Sequence, residues 1–352
     1  MAVEAEGLFL GVGRRAPRRT QHRHRSAGAL APLAALVFIF AALALAGGRW
    51  PVLDFYGQLQ GQAMVACAFV VLAAIVARRW RRVVVGLACV AALGWSLHPY
   101  LALPLRIEPV AGVGAPLRVA WANLHNWSTG GEALTRLLDV EAPDIAVLTE
   151  LSENHHAAAL AATAWGFRTG FPAGSAFDVM LISRARPTDV RFDYAYGVDF
   201  PVMEARFCVA ERATACLAVV ALHAPRPPLP WGAIGVPATR RDGLLALAAS
   251  MARRRLDARD HVLLLGDFNA VPYSTVFRDM LAASGLTDSA GAPAERPVRP
   301  RPTWFSSWPG IGLAIDHALV SPGVRIVERR LGPDIGSDHR PLVLHIRLAD
   351  GP

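Results

Sequence analysis

Three long apolar stretches in the first hundred residues predict membrane-spanning helices. They cover about 30–46, 60–77 and 83–103, and none contains Asp, Glu, Lys or Arg. A helix needs roughly 20 apolar residues to cross a bilayer, so the first and third approach the required length and the second is short. The first stretch has a second interpretation, a signal peptide cleaved near Ala44–Ala46. Cleavage there would leave the rest of the chain on the same side of the membrane.

Beyond about residue 105, short apolar runs of strand length alternate with segments of helical spacing. This alternation predicts one α/β domain of about 245 residues, which is large enough to bury a full core. The predicted strands are Arg118–Ala122, Ile145–Thr149, Val179–Ser183, Arg206–Val209, Cys216–Leu222, Val262–Leu265, His317–Val320 and Leu342–Ile346. The predicted helices are Glu132–Val140, Glu153–Ala164, Thr239–Arg254 and Tyr273–Ser284.

The net charge of +8 is confined to the first hundred residues. Residues 1–29 hold six Arg and two Glu, and residues 78–82 hold four Arg. By contrast, residues 105–352 hold 25 Arg and 25 Asp plus Glu, so they balance. This neutrality weakens the case for long duplex DNA as a ligand, because its binding needs several basic contacts to phosphates. It leaves short oligonucleotides and nucleotides open.

The two Arg clusters also predict the orientation in the membrane, because basic segments stay in the cytoplasm. We expect a basic cytoplasmic tail at 1–29, a membrane region with three helices at 30–104, and an extracytoplasmic domain at 105–352. The protein would then be a multi-pass protein of the cell (inner) membrane, with its N-terminus in the cytoplasm and its domain in the periplasm or outside the cell. Membrane lipid is the partner that the three helices imply, and the sequence gives no protein partner.

The chain has four cysteines, too few for a disulfide scaffold. Cys67 and Cys89 lie in the apolar stretches and are expected to act as apolar fillers. Cys208 and Cys216 lie symmetrically about Arg212 in a predicted hairpin. Paired strands can bring such residues to bridging distance and the expected compartment is oxidising, so a disulfide and two free thiols are both open.

Polar residues cluster at the ends of the predicted strands. Asn123, Glu150 and His223 each follow a strand directly, and the sequence Gly266-Asp267-Phe268-Asn269 follows the apolar run Val262–Leu265. Two further groups, Asp316 and Ser337-Asp338-His339, come just before strands. Each of these residues alone is as well explained by a turn, a helix cap or a loop histidine. Taken together they predict a site on one rim of a sheet, where α/β proteins bind ligands.

The order of these motifs resembles the endonuclease/exonuclease/phosphatase superfamily, which contains the deoxyribonuclease I-like and exonuclease III-like enzymes. The resemblance covers roughly 117–347. The matching segments are Val119–Asn123, Pro143–Glu150, Leu181–Arg184, Leu222–His223, Gly266–Asn269, Ile315–His317 and Gly336–Pro341. The apolar stretches and Thr303-Trp304 also look like a membrane-anchored bacterial branch of the superfamily. One departure is Thr149, because relatives often carry Gln before the metal-binding Glu.

The resemblance implies a four-layer α/β sandwich, with two packed sheets flanked by helices, and a metal-dependent phosphoesterase. Mg²⁺, or alternatively Mn²⁺, suits hard carboxylate and amide oxygens, and Glu150 with Asn123 and Asp338 would supply them. The remaining site residues take their roles from the resemblance. Asp267 would align or deprotonate the attacking water, Asn269 would orient it or contact the phosphate, His339 paired with Asp316 would bind a phosphoryl oxygen, and His223 would lie on the leaving-group side. Asp178 is a further residue that could orient His223.

These expectations favour an enzyme that hydrolyses a phosphodiester or phosphomonoester in a nucleic acid, a nucleotide or a lipid headgroup. The alternative is a catalytically silent extracytoplasmic domain that binds a phosphorylated ligand or a partner protein. The complete set of polar residues argues against the silent domain, because a domain that does no chemistry has no need for all of them.

Overall fold

Eight α-helices and fourteen strands form the part of the chain that the computed structural model describes, which is 21–101, 116–126, 130–170, 177–208, 216–227, 238–291, 301–307 and 311–349. The helices are α1 (Gln21–Gly47), α2 (Asp54–Gly57), α3 (Gln60–Val76), α4 (Trp80–Leu101), α5 (Glu132–Glu141), α6 (Glu153–Ala161), α7 (Ala238–Asp257) and α8 (Thr275–Ser284). The first seven strands are β1 (Leu117–Asn123), β2 (Ile145–Thr149), β3 (Phe167–Gly170), β4 (Met180–Ser183), β5 (Asp189–Asp193), β6 (Val202–Phe207) and β7 (Leu217–His223). The others are β8 (His261–Asp267), β9 (Thr287–Asp288), β10 (Trp304–Phe305), β11 (Gly312–Leu313), β12 (Asp316–Val320), β13 (Val324–Leu331) and β14 (Leu342–Leu348).

Two six-stranded mixed sheets form the centre of the domain. The first has the order β13-β14-β1-β2-β4-β3, and the second has the order β5-β6-β7-β8-β12-β9. Each sheet contains one parallel pair, β1 with β2 and β7 with β8, and the other pairs are antiparallel. The strands β10 and β11 form a separate two-stranded ribbon.

The sheets pack face to face, and helices cover their outer faces. Alternate residues of the central strands, such as Val119, Val219 and Leu263, fill the space between the sheets. The intervening residues face outward, where α5 and α6 cover the first sheet and α7 and α8 cover the second. The result is two packed mixed sheets flanked by helices, consistent with the α/β sandwich that the sequence analysis predicts.

Local signals fix the ends of the helices. The α8 helix begins at Thr275, two residues later than the spacing predicts, because the Ser274 hydroxyl accepts the hydrogen bond of the Phe277 N–H and caps the helix. It ends at Gly285, whose φ of 71° is the left-handed conformation that glycine adopts freely at a helix terminus.

Three apolar helices lie where the sequence predicts membrane spans, but their lengths differ. Within the described residues, Trp80–Tyr100 is the one helix that is both long and apolar enough to cross a membrane, and Ala31–Gly47 and Gln60–Val76 are shorter apolar helices. The expectation of three spanning helices is therefore supported for the third stretch alone. The α4 helix also begins at Trp80 and takes in Arg81 and Arg82, which the prediction left outside the third span. Residues 1–20 of the predicted tail and the predicted end of the third span at 102–103 lie outside the described residues.

The Cys208 and Cys216 side chains are joined in a disulfide at the ends of β6 and β7. Cys67 is buried among the apolar helices, in keeping with its expected role as a filler.

Candidate active site

The period of two along each strand brings the polar residues to one rim. Side chains two residues earlier on the same strands, such as Trp121, Val147 and Leu265, face the core between the sheets. The next residue on the same face of each strand must point the same way, so the polar side chains at the strand ends converge on the mouth of this core. These residues are Asn123, Thr149, His223, Asp267 and Asp316. The β12 strand runs antiparallel to β8, which is why Asp316 reaches the rim from the start of a strand.

Asp267 is the centre of the site. It is buried, and its Oδ2 lies 3.4 Å from His223 Nε2, 3.7 Å from His339 Nε2 and 3.3 Å from Asn123 Nδ2, which donates to it. Its Oδ1 accepts the main-chain N–H of Asn269 at 2.9 Å. Side chains from both sheets therefore surround the Asp267 carboxylate: Asn123 and His339 from the first sheet, and His223 from the second.

Asn269 holds Asp267 in place. Its side-chain amide donates to the Ala224 carbonyl at 2.8 Å, and its backbone has a φ of 47°. A left-handed backbone is uncommon for a residue other than glycine, and such strain is retained where the surroundings impose it. The geometry thus indicates that Asn269 positions the Asp267 carboxylate. The sequence predicted a different role, a contact from Asn269 to the attacking water or the phosphate.

His339 and Asp316 form a buried hydrogen-bonded pair. The His339 Nδ1–H donates to Asp316 Oδ2 at 2.8 Å, and Trp121 donates to the other oxygen of Asp316 at 2.8 Å. Burial disfavours the imidazolium, but the charge and hydrogen bond of Asp316, with the charge of Asp267, outweigh it and raise the pKa of His339 to about 10. Burial would raise the pKa of Asp316, yet the charge of His339 lowers it below its ordinary value. His339 therefore presents a charged Nε2–H to the site at neutral pH.

His223 is oriented by Thr149. The Nδ1 of His223 lies 3.2 Å from the Thr149 hydroxyl, which itself donates to the Asp178 carbonyl. Burial opposes charge on His223, but its hydrogen bond to Asp267 and the charges of Asp267 and Glu150 dominate and raise its pKa. The sequence analysis suggested the Asp178 carboxylate for this task. That carboxylate instead accepts the Leu151 N–H at 3.3 Å, and burial raises its pKa to about 7.

Glu150 reaches the cleft from a strained backbone with a φ of 54°. Its Oε1 accepts a hydrogen bond from Asn123 Nδ2 at 2.7 Å and lies 3.7 Å from His223 Nε2. Asn123 therefore contacts Glu150 as a donor, and its own Oδ1 accepts the His125 N–H at 3.0 Å. For Asn123 to bind a cation through Oδ1, its amide would have to rotate.

Asp338 lies across the cleft, between Trp304 and His125. The Trp304 indole N–H donates to Asp338 Oδ2 at 2.8 Å, and His125 Nδ1 lies 2.9 Å from Asp338 Oδ1. His125 has a left-handed backbone with a φ of 52°. His125 was not among the predicted site residues. It follows Asn123 by two residues at the same end of β1, and this position could have indicated it.

The donor set fits a hard divalent cation. The Glu150 and Asp338 carboxylates both line the cleft, and oxygen ligands of this kind suit Mg²⁺ and Mn²⁺. Asp267, Asp316 and His339 form a group whose ligand atoms lie within 4.8 Å of one another. The Nδ1 of His339 already donates to Asp316, so a cation held by this group would contact the imidazole at Nε2.

The site opens into a cleft of about 460 Å³, a size typical of small-molecule sites. It is lined by site residues and by residues that the sequence analysis did not assign to the site. The additional lining residues are Phe55, Gln58, Leu59, His125, Asn126, Phe177, Arg226, Pro227, Trp304, Leu313 and Ile315. Three of them, Phe55, Gln58 and Leu59, precede Leu117, the first residue of β1, by 58 to 62 residues, which is why no local pattern indicates them.

Residues 120–339 match the model of the endonuclease/exonuclease/phosphatase family. The chain belongs to this family. Enzymes of the family hydrolyse phosphoester bonds and use divalent metals, so the chain is a phosphoester hydrolase.

Solved structures with the same fold share little sequence with the chain. An endonuclease/exonuclease/phosphatase from Beutenbergia cavernae is 17% identical with a TM-score of 0.51, and the match covers 67% of this chain and 72% of that one. The human Nocturnin catalytic domain is 15% identical with a TM-score of 0.52, covering 68% and 97%. The 3'-5' exonuclease NExo from Neisseria meningitidis is 22% identical with a TM-score of 0.50, covering 66% and 100%. No curated protein matches the chain. These likenesses show the fold.

Proposed function

We propose that the chain is a membrane-anchored phosphoesterase that requires Mg²⁺ or Mn²⁺ and whose catalytic domain faces away from the cytoplasm. The observation that carries the catalytic part is the arrangement at Asp267, where two imidazoles and a main-chain N–H surround one buried carboxylate. Bound at Glu150 and Asp338, the metal would polarise the phosphoryl oxygens and stabilise the developing charge.

The side chains around Asp267 then have distinct tasks. Asp267 takes a proton from a water molecule. The oxygen of that water attacks phosphorus, and the bond from phosphorus to the leaving oxygen breaks. The His339 imidazolium, fixed by Asp316, holds a non-bridging oxygen whose charge grows in the transition state. His223, fixed by Thr149, lies within reach of the leaving oxygen and can give it a proton.

The apolar helices support the membrane part of the proposal. Large apolar side chains on their outer surfaces are exposed; Leu36, Phe69 and Trp95 are 65%, 65% and 83% exposed. An exposed apolar surface of this extent on three helices is typical of contact with lipid. The end of α1, the start of α3 and the end of α4 all contact the catalytic domain, and the Arg cluster lies at the junction of α3 and α4. With that cluster in the cytoplasm, the domain lies on the opposite side.

The catalytic part is tested by turnover of bis(p-nitrophenyl) phosphate by the full chain in detergent. We expect hydrolysis that needs Mg²⁺ or Mn²⁺, stops with a chelator and is lost in Asp267→Asn. Binding of a phosphate ester without turnover at any metal concentration would favour the silent binding domain instead.

The orientation is tested by fusing a reporter that is active only outside the cytoplasm after residue 105. The fusion should be active, and a matched cytoplasmic reporter at the same position should be silent. The reverse pattern would overturn the orientation.

A further inference from the structure

The residues between α1 and α3, 48–59, lie against the catalytic cleft, and we name them the interhelical segment. Phe55, Gln58 and Leu59 line the same cleft as Glu150 and Asp267. The segment therefore forms one wall of the cleft, although it belongs to the apolar helices rather than to the sandwich.

Hydrogen bonds attach this wall to the loop that follows β8. Gln58 Nε2 donates to the carbonyl of Asn269 at 3.2 Å, two residues after Asp267. The Tyr273 hydroxyl donates to the carbonyl of Gln58 at 3.0 Å. Because Asn269 itself holds Asp267, the segment and the catalytic carboxylate share one network.

A buried ion pair makes the attachment firm. Arg241 Nη1 donates to Asp54 Oδ2 at 2.7 Å, and the two side chains are only 1% and 4% exposed. The carbonyl of Gly48 accepts from Thr275 and Arg278 at 3.1 and 2.7 Å. Separating the segment from the domain would break these hydrogen bonds and take from the buried Asp54 carboxylate its cation, which is costly, so the wall is a fixed part of the site.

The cleft is apolar on the side that faces the helices. Ile315 and Leu313, which line it, belong to one apolar cluster with Met64 of α3 and with Leu97 and Tyr100 of α4. Apolar packing thus continues from the wall of the cleft to the helices. On the polar side, Arg226 is the one arginine among the described residues that line the cleft, whereas a polynucleotide groove needs several such cations.

We infer that Phe55 and Leu59 select the substrate, and that the substrate is a phosphoester that carries a long apolar chain and is drawn from the membrane. This inference rests on the proposed function. The polar site would hold the phosphoryl group, and the chain would lie between the interhelical segment and Ile315. A nucleotide ester, whose base would stack on Phe55 or Trp304, is the competing class of substrate.

Three synthetic phosphodiesters with the same nitrophenolate leaving group separate these classes. They are hexadecyl, methyl and thymidine-5′ p-nitrophenyl phosphate, assayed with the full chain in mixed micelles with Mg²⁺. The variant is Phe55→Ala combined with Leu59→Ala. The matched control is Val52→Ala, which truncates a 90% exposed residue of the same segment outside the cleft.

The double variant should lower kcat/KM for the hexadecyl ester about 10-fold or more, because it removes apolar contacts to the chain, and change the methyl ester less than about 2-fold. Val52→Ala should leave both unchanged. An equal loss on the hexadecyl and methyl esters would overturn the inference, as would a wild type that prefers the thymidine ester to the hexadecyl ester. A wild type that hydrolyses none of the three would instead overturn the proposed function itself.

Discussion

At the scale of single residues, Asp267 is where the contacts of the site converge. His223 and His339 approach the same carboxylate oxygen from two sides, each oriented through its other ring nitrogen by Thr149 or Asp316. The sequence predicts these side chains at strand ends, and the family resemblance predicts the pairing of His339 with Asp316. The contact of His223 with Thr149 was not predicted. In the sequence, Thr149 is only a departure from the family pattern. Its hydroxyl contacts His223 because the two packed sheets bring the ends of β2 and β7 together.

Asp267→Asn and His339→Gln should each lower kcat far more than they raise KM, by roughly 10²–10⁴-fold, because both groups act mainly in the transition state. Residues that act as a unit are not additive, so the double variant should cost little more than the worse single change. Steady-state kinetics on a soluble phosphodiester measure both effects. Fully additive losses, or near-normal turnover in either single variant, would remove the pair from the mechanism.

Glu150→Gln should weaken metal binding while the fold stays intact, because the amide keeps the shape of the side chain and removes its charge. Mn²⁺ titration followed by electron paramagnetic resonance measures this without activity. Asp144→Asn is a matched control, since Asp144 lies at the other end of β2 and accepts the Arg118 N–H. Equal affinities in wild type and Glu150→Gln would exclude Glu150 as a ligand.

At the scale of elements, the pattern of apolar residues predicts seven of the eight interior strands of the two sheets closely. For β6, the predicted Arg206–Val209 shares only two residues with Val202–Phe207, and residue 209 lies outside the described residues. The pattern misses the four edge strands, β3, β5, β9 and β13. Edge strands are only half covered and carry charges that discourage pairing with other molecules, so their apolar signal is weak. The sequence Val324-Arg-Ile-Val-Glu-Arg-Arg-Leu331 of β13 is an example, with buried Val324 and Ile326 among charged residues.

The Cys208–Cys216 disulfide joins the ends of β6 and β7, and its effect can be measured. Replacing both cysteines by Ala should lower the free energy of unfolding by about 2–3 kcal/mol, since the bridge restricts a short loop in the unfolded chain. Denaturant unfolding of the detergent-solubilised chain measures the change. Reductant should destabilise the wild type by a similar amount and leave the variant unaffected; a wild type insensitive to reductant would argue against the bridge.

At the scale of the whole molecule, direct contacts join the apolar helices to the sandwich. In the helical region the contacting residues lie between Gly48 and Tyr100, and in the sandwich they lie between Arg241 and Ile315. The residues that meet in these contacts are far apart in the chain. Neither set of contacting residues forms a local sequence pattern that indicates an interface. That is why the helices could be predicted as an anchor but not as a part of the site.

The Asp54–Arg241 pair tests this union. Arg241→Met alone should destabilise the chain by about 3–5 kcal/mol, because it leaves the buried Asp54 carboxylate without its cation. Asp54→Asn should cost less, since Arg241 keeps its ion pair with Asp242. Asp54→Leu combined with Arg241→Met should cost less than Arg241→Met alone. Denaturant unfolding followed by tryptophan fluorescence measures all three. Wild-type stability in both single variants would mean that the pair does not hold the two parts together.

The order of the first sheet has a consequence for biosynthesis. The first strand of the domain, β1, lies between β2 and the last strand, β14, and Asp338 and His339 come just before β14. Until β14 has left the ribosome, β1 has one unpaired edge, and until residue 339 has been added the cleft lacks the His339 imidazole. We therefore expect a nascent chain that has not yet reached β14 to be unable to cleave substrate, so that hydrolysis begins only after this strand has been made.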